Sequence, residues 1–438
     1  MSPDRINSTF VKSDDLYERA IQVIPLASQT FSKSAMQYVR GASPLFIERG
    51  DGCAVWDVDG NSYYDFVLGL LPVVLGYRDA DVDGAIRAQL DKGITFSLAS
   101  PLELELASAL IELIPCAEMV RFGKNGSDAT TAAVRLARAY TGRDRIACAG
   151  YHGWHDWYIG STTRHLGVPE SQRQLTSTFG YNDADSLERL LREDPNGYAA
   201  IVLEPATTIE PETGFLERVR NLASRYGAVL VFDEIVTGFR IGLGGAQAHY
   251  GVVPDLATFG KALGNGMPIS ALVGRREIMR RVDDIFFSGT FGGECLSLAA
   301  AIATLDKLKR ESAIQKTKAF GSSLKEGVST LIGNHGLSEH IRIVGPDWWP
   351  ALALTPDDRV DHLTLTSLLR QELVRAGILQ CATFNLCLAQ ARDGVLSSVL
   401  SRWAACLERL NEHLRLPDPR AALLGAPIEP VFKVRAIG

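Results

Sequence analysis

Residues 45 to 66, "LFIERGDGCAVWDVDGNSYYDF", alternate apolar and polar positions around the turn pairs Asp51-Gly52 and Asp59-Gly60, the pattern of an antiparallel β-meander. From about residue 100 to 310 the rhythm changes. Short apolar runs ("MVRFG", "RIACAG", "AAIVLEP", "AVLVFDE", "ISALVG") alternate with helical spacing, as in "SDATTAAVRLARAYTG". Buried strands separated by amphipathic helices predict the α/β class, with a mostly parallel sheet covered on both faces. Beyond them, "GGECLSLAAAIATLDKLKRE" has the spacing of a long helix. The tail adds helices in "LTSLLRQELVRAG" and "VLSSVLSRWAACLERLNEHL" and short strands such as "ALALTP", which read as a smaller α+β domain. No repeat and no Ser/Gly-rich linker marks the boundary, which the change of pattern places near 310.

At 438 residues the chain is long enough for two or three packed units, and 46% hydrophobic with 22% charged residues is an ordinary globular composition. The net charge of −6 and the scatter of Lys and Arg give no basic footprint for nucleic acid. No window approaches a membrane span, and the opening "MSPDRINSTFVKSDD" lacks the apolar core of a signal peptide, so a cytosolic location is expected. The seven cysteines are odd in number, widely spaced and free of any CxxC pair. They read as reduced, mostly buried thiols, with neither a disulfide framework nor a zinc site.

Four stretches carry candidate chemistry. The apolar run "AVLVFDEIVTGFR" ends in Asp233 and Glu234, and ligands of open α/β sheets lie beyond the carboxyl ends of strands. A lone strand-end acid is more often a helix cap or an ion-pair member. "RFGKNGSDATTAAVRLARAY" reads as strand, tight turn at Gly126 and Ser127, then a helix with its apolar stripe at Ala132, Ala133, Leu136 and Ala137. Such a helix start binds anions, although Ser is also a common cap. "YHGWHDW" (151–157) crowds aromatics at a strand end, equally a flat ligand's face, a core cluster or a subunit contact. His152 and His155 lack a third ligand nearby, so no metal is expected. Finally, "PDLATFGKALGNGMP" confines Lys261 between glycines and prolines that fix the backbone. A phosphate cradle, a strand-end carboxylate, aromatic faces and a constrained lysine together meet the needs of pyridoxal 5′-phosphate (PLP).

The stretches "DEIVTGFRIGLGGAQAHYGVVPDLATFGKALGNGMP", "NGSDATTAAVRLARAYTGR", "YHGWHDW" and "SGTFGG" resemble the class III aminotransferases of PLP fold type I, and among them most closely the glutamate-1-semialdehyde aminomutases and their aminotransferase relatives. The resemblance covers nearly the whole chain. It implies a seven-stranded, mostly parallel sheet in a large domain at 67–310, joined to a small α+β domain built from 1–66 and 311–438. It implies that Lys261 holds PLP through a Schiff base and later shuttles the proton, while Asp233 pairs with the pyridine nitrogen. Gly126 and Ser127 match the phosphate turn, Tyr151 the stacking aromatic and His152 the residue that follows it. Glu204 and Ile235 fall at positions near the ring. Thr290 matches a threonine that reaches the phosphate of the neighbouring subunit, which implies a homodimer with its active site at the interface.

The substrate side departs from the aminomutases. Where they carry a serine and an arginine for the substrate carboxylate, this chain has Ser32 and Ala35 in "TFSKSAMQYVRGASPLFIE". Lys33 and Arg40 are the nearby cations, and each reads equally well as a solvated charge. "EPATTIEPETG" replaces an Asn-bearing stretch, and Asn385 stands near the position at which the aminomutases have a glutamate in the small domain. Trp154 joins Ser32, Lys33, Arg40 and Asn385 as a candidate substrate contact. The expectation is a PLP-dependent aminotransferase that passes an amino group from a small-molecule donor to an aldehyde, keto acid or oxo-sugar. The alternative is a PLP-dependent isomerase, either a 1,2-aminomutase or a racemase.

Overall fold

The computed structural model describes residues 10–429. Residues 1–9 and 430–438, which include most of the opening "MSPDRINSTFVKSDD" and the end of the small domain read from the sequence, lie outside them. The described chain divides into two compact units, 10–79 with 315–429 and 80–314. The sequence placed these divisions at 66/67 and 310/311.

The first unit opens with the helix Val11–Ala20 and three short 3-10 turns, and the meander follows. Strands β1 (Ile47–Asp51), β2 (Ala54–Asp57) and β3 (Ser62–Asp65) pair antiparallel in order, with the Asp-Gly turns between them.

The second unit carries a seven-stranded sheet. Its strands are β4 (Met119–Gly123), β5 (Arg145–Ala149), β6 (Thr176–Thr178), β7 (Tyr198–Leu203), β8 (Val229–Asp233), β9 (Leu256–Phe259) and β10 (Ser270–Gly274). Their order across the sheet is β4-β10-β9-β8-β7-β5-β6. β10 runs antiparallel to both its neighbours, and every other strand points the same way. β7, β8, β9 and β10 are buried at every position, as expected of strands covered on both faces. The helix Gly126–Thr141 presents Ala132, Ala133, Leu136 and Ala137 to Ile146, Val202, Val231 and Leu272 of the sheet. Its start is fixed by Asp128, whose carboxylate accepts from Asn125 N–H at 2.8 Å, and its end by Gly142 in the left-handed conformation.

The rest of the first unit follows. β11 (Ile341–Val344) and β12 (Ala351–Leu354) form a hairpin, and β13 (Ile378–Leu379) adds in parallel to β3. Helices His362–Arg375 and Val395–Leu414 bury Leu368, Leu407 and Leu410 in a core centred on Phe66, Phe384 and Trp403, whose rings stand 5.6 to 5.7 Å apart. Six of the seven cysteines are buried and Cys381 is half-buried. No described helix is long and apolar enough to cross a membrane.

Candidate active site

In the second unit the candidate residues leave the sheet at one edge. Gly126 follows β4, Tyr151 and His152 follow β5, Glu204 follows β7, Asp233 ends β8 and Lys261 follows β9. With β10 reversed, these are the carboxyl ends of all five strands, the edge where open α/β sheets bind ligands.

Asp233 is buried, and its two oxygens are engaged differently. Oδ2 lies 2.7 Å from Nδ1 of His152, while Oδ1 accepts from Ile235 N–H at 3.1 Å and Thr258 Oγ1 at 3.3 Å. The other ring nitrogen of His152, Nε2, faces the Ala149 carbonyl at 3.1 Å. Both nitrogens thus face oxygen atoms, which fixes the orientation of the ring. Trp157 stacks on this ring at 5.9 Å and Tyr158 meets it edge-on at 5.2 Å. The carboxylate at the strand end is therefore aimed by a histidine that is itself locked in place.

Lys261 sits at the start of a single 3-10 turn, Lys261–Gly264, after Gly260. Part of its side chain reaches solvent, yet burial holds the amine below its usual range. The charge of Arg240 pushes the same way, and Glu204 and Asp233 oppose both. A lysine amine that gives up its proton more readily is the better nucleophile. Arg240 is itself buried, with Nη1 donating to the Val236 carbonyl at 2.6 Å, and desolvation lowers its pKa to about 9. Glu204 is pushed up by burial and then by Asp233, against the pull of His152 and Lys261. Its Oε2 accepts from Tyr151 N–H at 2.8 Å. The Tyr151 ring is half-exposed and rests edge-on against Tyr158.

Close approach explains the glycines. A Cβ at Gly126 would stand 3.2 Å from the Ile235 side chain, and one at Gly260 would stand 3.0 Å from it. Ile235 therefore spaces the helix start from the lysine loop, and neither loop has room for a side chain of its own. Gly153 has φ +97°, and a Cβ there would fall 2.2 Å from Ser127 Oγ. That hydroxyl accepts from Trp154 N–H at 3.3 Å.

The remaining candidates are placed as follows. Thr290 is exposed and lines a cavity of about 330 Å³ with Phe122, Lys124, Arg135 and His155, which neither Lys261 nor Asp233 lines. Trp154 is exposed and packs edge-on against His155 at 4.8 Å. In the first unit, Ser32 is half-buried and Lys33 exposed. Arg40 pairs with Glu18 at 2.8 Å and lies over the Tyr17 ring. Asn385 is buried; Oδ1 accepts from Trp349 Nε1 and Thr383 Oγ1, and Nδ2 donates to the Val67 carbonyl. The sequence did not single out Arg240, Thr258 or Gly153. Arg240 stands in the same "DEIVTGFR" run as Asp233, the one local sign that could have drawn attention to it.

The sequence model of one family, "Aminotransferase class-III", matches residues 36–346. The chain belongs to this family. Among other class-III aminotransferases and their relatives, it is 38% identical over 375 residues to 3-aminobutyryl-CoA aminotransferase of Cloacimonas acidaminovorans (strain Evry), covering 84% of this chain and 89% of that protein. It is also 38% identical over 350 residues to glutamate-1-semialdehyde 2,1-aminomutase of Methanothrix thermoacetophila, covering 76% and 79%. The fold matches FumI of Sphingopyxis sp. MTA144, solved as its PLP internal aldimine, with a TM-score of 0.87, 29% identity and coverage of 94% of this chain and all of that one. Both the α/β class and the seven-stranded sheet expected of a class-III aminotransferase are therefore present.

Proposed function

We propose that this class-III aminotransferase carries PLP on Lys261 and moves an amino group from a small amine donor to an aldehyde, keto acid or oxo-sugar acceptor. The observation that carries this reading is the pairing of a lysine amine held below its usual range with a buried carboxylate aimed by His152, at one edge of one sheet. The residues fit the cofactor. Gly126 and Ser127 offer a helix start to its phosphate, Tyr151 a ring face, Asp233 an oxygen for the pyridine nitrogen, and Ile235 and Glu204 the walls between them. When bound, PLP supplies an aldehyde for the amine and a protonated ring that draws electrons from Cα. The chain does the rest: Lys261 takes and returns the Cα proton, Asp233 holds the ring nitrogen charged, and His152 fixes the Asp233 carboxylate. Trp154 is proposed to touch substrate, as are Ser32 on the strength of the resemblance and Lys33 as a cation able to stand in for the missing arginine. Arg40 and Asn385, already engaged by their neighbours, are given no substrate role.

The test is a half-reaction. The pyridoxamine form of the purified protein, mixed with a panel of keto acids, aldehydes and oxo-sugars, should regain PLP absorbance with at least one of them. Failure across the panel would overturn the transaminase reading. A second reading, an intramolecular aminomutase or a racemase, is supported by the 38% identity to a glutamate-1-semialdehyde 2,1-aminomutase. Turnover of a single compound with no amino donor present would establish it.

The working form is proposed to be a cytosolic homodimer in which Thr290 reaches the partner's phosphate. In support, Thr290 is exposed and lines a cavity apart from its own Lys261. Mixing Lys261→Ala chains with Thr290→Ala chains should then restore part of the activity, since one of the two sites in a heterodimer is intact at both positions. Mixtures no more active than their parents would remove the trans contact.

Gly153→Ala should weaken PLP retention about 10- to 100-fold, because alanine strains the left-handed backbone by roughly 1–3 kcal/mol and displaces Ser127 Oγ. Titration of the apoprotein with PLP, followed by absorbance, measures it. Unchanged affinity would separate Ser127 from the phosphate.

A further inference from the structure

A second cavity, of about 250 Å³, lies wholly within the first unit, lined by helix His362–Arg375, β12, residues 381–382 and residues 428–429. Its wall is mainly apolar, formed by Leu352, Leu354, Leu363, Leu369, Leu373 and Ile428. One buried cation stands in this wall. Arg370 is only 7% exposed, and its Nη1 donates to the Gln37 carbonyl at 2.7 Å and to Gln37 Oε1 at 3.4 Å. Its Nε has no hydrogen-bond partner, and among the described residues no carboxylate forms an ion pair with the guanidinium. Glu429 also lines the cavity, exposed at its edge, and is not paired with Arg370.

A buried guanidinium held only by neutral oxygens is an expensive arrangement, and an anion that reaches it relieves the cost. The surrounding leucines exclude small hydrated ions and favour an aliphatic chain. The cavity is smaller than the sites that hold drug-sized ligands, which sets a short chain. We propose that this cavity binds a short aliphatic monocarboxylate, with its head group on Arg370 and its chain against the leucine wall, as a site separate from the one that carries Lys261. Nothing in this proposal depends on which amino acceptor the enzyme uses.

Calorimetric titration of the PLP-loaded protein with sodium hexanoate tests it, with 1-hexanol as the uncharged probe. Hexanoate should bind once per chain without altering the PLP absorbance, and hexanol should bind at least about tenfold more weakly, as expected when a charged hydrogen bond is lost. Arg370→Gln should weaken hexanoate by a similar factor. Leu363→Trp, at a half-exposed wall position, should fill the cavity and block binding while leaving the guanidinium in place, so the outcome does not rest on one buried substitution. No measurable binding would overturn the proposal. So would equal affinity for hexanol, or hexanoate binding that survives Leu363→Trp and comes with a change in the PLP spectrum, which would place the anion beside Lys261 instead.

Discussion

Lys261→Ala is expected to yield a folded protein with no covalently held cofactor and with transamination reduced by at least about 10⁴-fold. The backbone should tolerate the change. Lys261 opens a short 3-10 turn whose following residues, Ala262 and Leu263, are fully buried and carry the packing. Chemistry should not tolerate it. The amine at 261 is the one that burial and Arg240 hold below its usual range, and alanine removes both the nucleophile and the group that takes the proton from Cα. Borohydride reduction followed by intact mass should show a stable PLP adduct in the parent and none in the variant. Added small primary amines should restore a fraction of the proton-transfer rate in the variant. Retention of the adduct in Lys261→Ala would place the attachment elsewhere and remove the lysine from the mechanism.

Asp233→Asn should keep the fold and bound PLP and slow proton removal from the donor by roughly 10²- to 10⁴-fold. Asparagine matches the shape of the side chain and can still accept from Ile235 N–H and Thr258 Oγ1. It cannot offer a negative oxygen to both His152 and the ring nitrogen. The pyridine nitrogen then loses the partner that keeps it charged, and the electron pair released at Cα has a poorer sink. His152→Asn is expected to act in the same direction with a smaller effect, because it leaves the carboxylate charged but no longer aimed. Single-turnover rates of the donor half-reaction at saturating substrate separate this from weakened binding. Near-parental rates in Asp233→Asn would show that the ring works without a charged partner.

The hydrophobic rhythm of the chain is enough to find the meander at 45–66, the buried strands and the long helices, because period-2 alternation, short apolar runs and 3.6-residue spacing are local properties. Asp233 and Lys261 stand out locally as well, the first at the end of an apolar run and the second between glycines and prolines. The direction of β10 was not legible: "ISALVG" is apolar at nearly every position, and such a run looks the same whichever way it crosses the sheet. The partners of the polar residues were equally hidden. His152 and Asp233 are 81 residues apart, and Asn385 donates to a carbonyl 318 residues away. Arg40 and Arg240 look alike in the sequence, yet one is exposed, pairing with Glu18 and lying over the Tyr17 ring, and the other is buried beside the lysine. Cations are usually solvated, so only the fold could tell them apart.

The reversal of β10 has a mechanical consequence. Phe259 pairs with Ala271, so the segment 260–269 that bears Lys261 leaves the sheet on one strand and re-enters it on the adjacent one. Both of its feet are pinned within a strand spacing of each other, like a beam clamped at each end, whereas a loop leading into a crossover helix is anchored like a cantilever. An insertion anywhere in those ten positions would slacken the beam and let the amine wander, even with every side chain around it unchanged.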